Sequence, residues 1–124
     1  MKKTIFFLLI LTSFISCQKE DHNGDLGGFW KLLQIELTEN DSLINKRTEN
    51  RFWAIQLDLI EVNRAMGRFQ HVGDSLFIQM ITTKPGLEQF GLYNPENERF
   101  KVLHLNRDKM ILQSGKAVLS FRKF

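Results

Sequence analysis

An all-β fold is predicted for this chain: an antiparallel up-and-down meander of about eight strands closing as a small barrel. Three observations predict it. Between residues 26 and 124 the apolar residues fall in short runs, several alternating with polar residues at the period of two that a half-buried strand needs. Turn-forming residues separate these runs at the spacing of all-β sandwiches and barrels. Finally, 124 residues with two prolines and no long internal repeat fit one domain around one core. A sequential meander of this count tends to close on itself, which removes exposed strand edges.

The elements follow in order. The first run, Gly28 to Thr38, sets Leu33, Ile35 and Leu37 against Gln34, Glu36 and Thr38. Residues 40–50 are polar and loop-like, with Leu43 and Ile44 able to pack or form a short turn. The second run, Phe52 to Val62, puts Trp53, Ile55, Leu57 and Leu59 on one face, and Asn63 to Gly67 turns the chain. Arg68–Val72 and Ser75–Ile81 flank Gly73-Asp74, a pair suited to the positive backbone angles of a tight hairpin. Residues 85–93 admit two readings: one helical turn ended by Gly91, or a short strand entering Leu92-Tyr93. After the Asn94-Pro95-Glu96-Asn97 turn come three strands, Phe100–Leu105, Met110–Gln113 and Ala117–Phe124.

The N-terminus carries an address. Met1-Lys2-Lys3 is basic and Ile5 to Leu11 is a run of seven apolar residues, too short for the roughly 20 that cross a bilayer. Basic, apolar, then small is the order of a secretory signal. Phe14-Ile15-Ser16-Cys17 resembles a bacterial lipobox, with Phe14 standing where leucine is usual. The resemblance implies cleavage before Cys17 and acylation of that cysteine, the single one in the chain. Several buried acyl chains then anchor stably, at about 0.8 kcal/mol per methylene. The competing reading is an ordinary secretory signal. Lys19-Glu20-Asp21 resembles an export signal that carries lipoproteins to the outer face of the outer membrane, and it also suits a solvated linker. The expected organisation is therefore a signal peptide over 1–16, a lipidated N-terminus and linker over 17–25, and a barrel over 26–124. Loss of the signal lowers the formal net charge from +3 to +1, so the apparent basicity belongs largely to the leader.

Gly28-Phe29-Trp30 has the Gly-x-Trp form of the lipocalin signature. Phe52–Leu59, Gly73–Leu76, Phe90–Tyr93, Met110–Ser114 and Phe121–Phe124 add to it. Together these stretches resemble the small lipocalin-like lipoprotein domains of one group of Gram-negative bacteria. The resemblance implies a lipocalin-like barrel and an envelope location, but no established activity. It also implies that Trp30 packs at the closed end of the barrel against a basic residue of the last strand, for which Arg122 is the candidate.

No catalytic pattern emerges. His22, His71 and His104 form no metal-binding spacing, and a satisfied core or rim histidine outweighs a functional one; His104, sharing a face with Phe100 and Val102, is the one expected to point inward. Ser75 lacks the context of a nucleophile elbow and follows Asp74 as turn chemistry does. Asp58 and Glu61 fall on opposite strand faces. The basic residues are interspersed with acids, as on a solvated face rather than a nucleic-acid groove.

The expected function is non-catalytic binding of a small apolar or amphipathic molecule in the barrel of a lipid-anchored outer-membrane lipoprotein, without cofactor, metal or nucleic acid. The lining candidates are Trp53, Ile55, Leu57, Leu76, Ile78, Met80 and His104. The abundant aromatic rings, each burying roughly 150–250 Å², can instead fill a narrow barrel. The alternative is then a solid scaffold presenting loops 39–51 and 82–98 to an envelope partner.

Overall fold

Alternation of buried and exposed side chains runs through nearly every strand, and it turns a linear pattern into a ring. The structure is a computed structural model and describes residues 24–82 and 84–124. The predicted signal peptide, Cys17 and Lys19-Glu20-Asp21 lie outside the described residues. A short 3-10 turn at Gly24–Leu26 leads into β1 (Gly28–Leu37), followed by β2 (Leu43–Asn45), β3 (Phe52–Gln56), β4 (Leu59–Val62), β5 (Ala65–Val72) and β6 (Ser75–Met80). A second 3-10 turn, Leu87–Phe90, precedes β7 (Glu98–Leu105), β8 (Lys109–Gln113) and β9 (Ala117–Lys123). All pairings are antiparallel.

Strands β3 to β9 pair in chain order, and β1 joins β3 on one edge and β9 on the other. This closes an eight-stranded barrel. Strand β2 is an addition: it pairs with β1 at Gln34–Glu36, beyond the stretch that β3 occupies.

The turns explain where the sequence pattern misleads. Residues 52–62 are two strands rather than one run. Gln56 pairs with Leu59 across a tight turn in which Leu57 takes φ +56°, a left-handed conformation that leucine rarely adopts. Leu57 and Leu59 are therefore exposed, and Ile60 and Val62 point inward instead. The next turn is only Asn63-Arg64, both at positive φ, so Ala65 to Gly67 belong to β5. Gly73-Asp74 turns as expected, with Gly73 at φ +60°.

Two bulges shift the alternation. In β1 the register against β9 slips between Leu32 and Gln34, so Trp30, Leu32 and Ile35 are buried while Leu33 stands out of step. In β7 the slip falls between Val102 and His104, and Leu103 is the extra residue. His104 is thereby turned to the exposed outer face, where its Nε2 lies 3.1 Å from Asn106 Nδ2. It does not line the interior.

One cluster of buried side chains fills the ring, its bulkiest members Trp30, Trp53, Phe100 and Phe121. Gly67 is part of this fit: a Cβ there would stand 2.6 Å from Met80 Sδ and 2.7 Å from the Gln79 carbonyl oxygen. Because that oxygen belongs to the paired strand, Gly67→Ala is expected to destabilise the fold by about 1–3 kcal/mol, read from the midpoint of denaturant unfolding.

Candidate functional site

The closed end of the barrel is built around Trp30. Its indole is wholly buried and donates from Nε1 to the Leu26 carbonyl oxygen at 2.8 Å, which holds the first 3-10 turn across the barrel end. The basic partner over the ring is Lys123, with Nζ 4.3 Å from the ring centroid. Arg122, the expected partner, is exposed because alternation in β9 sends Phe121 and Lys123 to one side and Arg122 to the other. The Lys123 ammonium also donates to the carbonyl oxygens of Asp25 and Gly27. Gly28 is required twice over: its φ is +114°, and a Cβ would sit 3.2 Å from Lys123 Nζ.

The interior collects five of the seven predicted lining residues. Trp53, Ile55, Leu76, Ile78 and Met80 all point inward and are at most 4% exposed. Leu57 and His104 do not join them, the first because it forms a turn and the second because of the β7 bulge. Trp53 lies between two further rings, 5.7 Å from Phe100 and 4.8 Å from Phe121.

The opposite end is covered by the connection between β6 and β7, residues 81–97. Leu87, Phe90 and Leu92 from this segment are buried in the core cluster. Its 3-10 turn is bracketed by Gly86 and Gly91, both left-handed. A Cβ on Gly91 would come 2.4 Å from Leu119 Cδ1, so the segment lies tight against β9. Trp53 Nε1 donates to the Phe90 carbonyl oxygen at 2.9 Å, tying the cover to the barrel wall. From outside, Arg51 donates to Gln89 Oε1 at 2.7 Å and lays its guanidinium 4.9 Å from the Phe90 ring centroid. Glu49 bridges Arg51 and Lys46, and its pKa is lowered chiefly by the hydrogen bond from Arg51 and then by that from Lys46.

Glu98 stands beside this cover and is 6% exposed. Burial raises its pKa, partly offset by the backbone N–H groups of Tyr93 and Asn94; the Tyr93 N–H donates to Glu98 Oε1 at 3.1 Å. Tyr93 is itself raised by burial and by the nearby Glu88 and Glu98 charges.

Outside the ring, a groove of about 730 Å³ runs over β5 and β6, with Arg68, Gln70, Phe77 and Gln79 along it and Glu96 and Asn97 at its border. Its size falls within the usual range for small-molecule sites. Alternation places polar residues there, and nothing in the sequence pattern separates such a groove from an ordinary solvated face. Among the described residues no group of His, Cys, Asp and Glu is arranged to hold a metal, and no hydrogen bond joins Ser75 to a histidine.

The comparisons agree with this architecture. The family model of the lipocalin-like domain matches residues 9–124, and the chain belongs to that family. A solved lipocalin-like protein from Bacteroides uniformis is 18% identical, with a TM-score of 0.68 over 82% of this chain and 100% of that one. An uncharacterized protein from Bacteroides eggerthii is 20% identical, with a TM-score of 0.61 over 79% of this chain and 98% of that one. At these identities the likeness is one of fold. No curated protein matches the chain.

Two outcomes follow from the geometry. Lys123→Met removes the cation from the Trp30 ring and is expected to cost about 0.5–2 kcal/mol in chemical denaturation, whereas Arg122→Met changes stability by about 0.5 kcal/mol or less. For Glu98 the folded-state pKa is raised, so its contribution favours folding at low pH and is lost as pH climbs from the ordinary carboxylate range through the raised value. Glu98→Gln keeps an acceptor for the Tyr93 N–H. It should raise the melting temperature at neutral pH by a few degrees and flatten the pH dependence above the carboxylate range, as read by thermal scans across pH.

Proposed function

We propose that this protein is a lipid-anchored outer-membrane lipoprotein, exposed at the cell surface, whose barrel binds a small apolar or amphipathic molecule without catalysis. The observation that carries the binding reading is the cover over the mouth. The reversals at residues 57–58, 63–64, 73–74, 106–108 and 114–116 are tight turns and the β1–β3 connection carries β2, yet β6 and β7 are joined by a segment longer than the roughly 12–15 residues beyond which loops in compact domains tend to be functional lids. Its buried side chains Leu87, Phe90 and Leu92 share one apolar cluster with the interior face that carries Trp53, Ile55, Leu76, Ile78 and Met80. A ligand would take the place of Leu87 and Phe90 against that face, and release of Arg51 from Gln89 would admit it. The anchor is Cys17, with Lys19, Glu20 and Asp21 as the export signal.

A second reading is favoured by the density of the interior. Trp53 between Phe100 and Phe121 leaves the centre occupied by rings, which suits a solid scaffold presenting loops 39–51 and 82–98 to another envelope component.

The processed chain, residues 17–124 made without acylation, separates the two. Under the binding reading, native mass spectrometry detects a co-purifying small molecule, or fatty acids produce a saturable change in tryptophan fluorescence. Arg51→Ala then tightens the apparent affinity several-fold, because a freed cover raises the population of the open form. If no molecule co-purifies and neither protein responds to apolar probes, the scaffold reading stands. For the anchor, Cys17→Ala in cells moves the protein out of membranes washed with high salt and carbonate, which strip peripherally bound protein, and into the soluble fraction; retention through that wash would exclude lipidation as the anchor.

A further inference from the structure

The outer face of the closed end carries a row of like charges with no ion-pair partner among the described residues. Cross-strand pairing lines up Phe52 on β3, Lys31 on β1, Arg122 on β9 and Lys109 on β8. Like charges directly opposite one another on a sheet destabilise it. Yet among the described residues the ion pairs are Lys46–Glu49 and Arg51–Glu49, and the side chains of Lys31, Arg122 and Lys109 make no hydrogen bond. Asp108, next to Lys109 in the chain, and Glu61, paired with Ala54, form no ion pair with them. No carboxylate of the described residues pairs with this row.

Beside the cations lies a cluster of rings. Phe29, two residues from Lys31 on the same face of β1, is 58% exposed, and Phe124, two residues from Arg122, is 77% exposed. The two strands meet there through the Phe124 N–H donating to the Phe29 carbonyl oxygen at 2.9 Å. The Phe124 ring packs edge-on to Phe52 with centroids 5.0 Å apart. Apolar rings next to cations on one exposed face match a bilayer interface, where phenylalanine rings bury at the headgroup–acyl boundary and cations meet phosphates.

We propose that this face docks on a lipid surface rich in anionic headgroups, with Lys31, Lys109 and Arg122 on the phosphates and Phe29 and Phe124 in the interface. The inference rests on the lipoprotein reading only for how the barrel is delivered to the bilayer. The first described residue, Gly24, lies at the closed end, where Lys123 holds the Asp25 carbonyl oxygen. The seven steps of chain from Cys17 to Gly24 reach at most about 25 Å. An acylated Cys17 thus keeps the closed end near the membrane, and the charged and aromatic face is the part of that end suited to touch it.

The test uses the processed chain, residues 17–124, without acylation, on equimolar phosphatidylcholine–phosphatidylglycerol vesicles and on pure phosphatidylcholine vesicles. Cosedimentation is expected with the anionic vesicles and not with the neutral ones. Replacing Lys31, Lys109 and Arg122 together by glutamine is expected to weaken it about a hundredfold. The same variant unfolds at a temperature no lower than the parent, because it removes only repulsion. In a Phe124→Trp variant, brominated lipid quenches the new emission. Equal binding by the glutamine variant, absence of binding to anionic vesicles, or a dimer that Phe29→Ser with Phe124→Ser dissolves would each overturn the proposal. Because no acyl chain is present, these outcomes are independent of the Cys17→Ala fractionation, which tests the anchor alone.

Discussion

Everything in this barrel depends on β1 pairing along both of its edges. On one edge it meets β9 from Trp30 to Leu37; on the other it meets first β3 and then β2. A straight strand would carry one alternation through its whole length. The bulge around Leu33 resets it at the handover, so that Trp30 and Leu32 before the slip and Ile35 after it all reach the core. There the Leu32 N–H donates to the Arg51 carbonyl oxygen on the β3 side, and the Leu33 carbonyl oxygen accepts from the Lys46 N–H on the β2 side. Without that reset, ring closure would bury Gln34 or Glu36 in place of Ile35.

The two ends of the ring are sealed by different physics. The closed end is held by the Lys123 ammonium, which satisfies two backbone carbonyls and lies against the Trp30 ring. Removing it leaves a buried indole and two carbonyls without their cation. The mouth is sealed by apolar side chains on a segment with a left-handed glycine at each end of its 3-10 turn, fastened by Arg51 at the surface. Surface contacts of this kind contribute little each, so the mouth is the weaker seal. That asymmetry is what makes an apolar interior compatible with both a ligand site and a filled scaffold.

Much of this was legible in the residues. Strict alternation around Trp53-Ile55 and Leu76-Ile78-Met80 placed those side chains inward, and Gly73-Asp74 marked its hairpin through glycine's freedom at positive φ. Gly28 and Trp30 marked the closed end through a resemblance, and the structure supplies the reason: Gly28 takes a positive φ, and the Lys123 side chain passes 3.2–3.8 Å from where a Cβ would stand. The misses at Leu57 and His104 share one cause. Alternation counts residues, so any extra or left-handed residue inverts every assignment beyond it. Leu57 hid a turn because leucine is not a turn residue, and Leu103 hid a bulge that carried His104 outward. Arg122 is a different case: the resemblance asks only for a basic residue of the last strand, and the unbroken alternation of β9 puts Lys123, not Arg122, on the Trp30 side. The cover over the mouth left a faint signal in Gly86 and Gly91, but its burial depends on Leu119 and Trp53, far away in the chain.

Ring closure also has a kinetic side. The contacts that complete the barrel join Lys123 to carbonyls 98 and 96 residues earlier. No part of the chain before β9 can satisfy β1 along that edge, so the first strand formed must wait for the last one made. Closing so long a loop is entropically unfavourable until many contacts form together, and folding dominated by such contacts proceeds in milliseconds to seconds rather than microseconds. Until then Trp30 has neither its cation nor its covered end, and β1 presents an open, apolar edge. The same closure that leaves the finished ring without long free edges makes the nascent chain most exposed to mispairing just before its final seven-residue strand arrives.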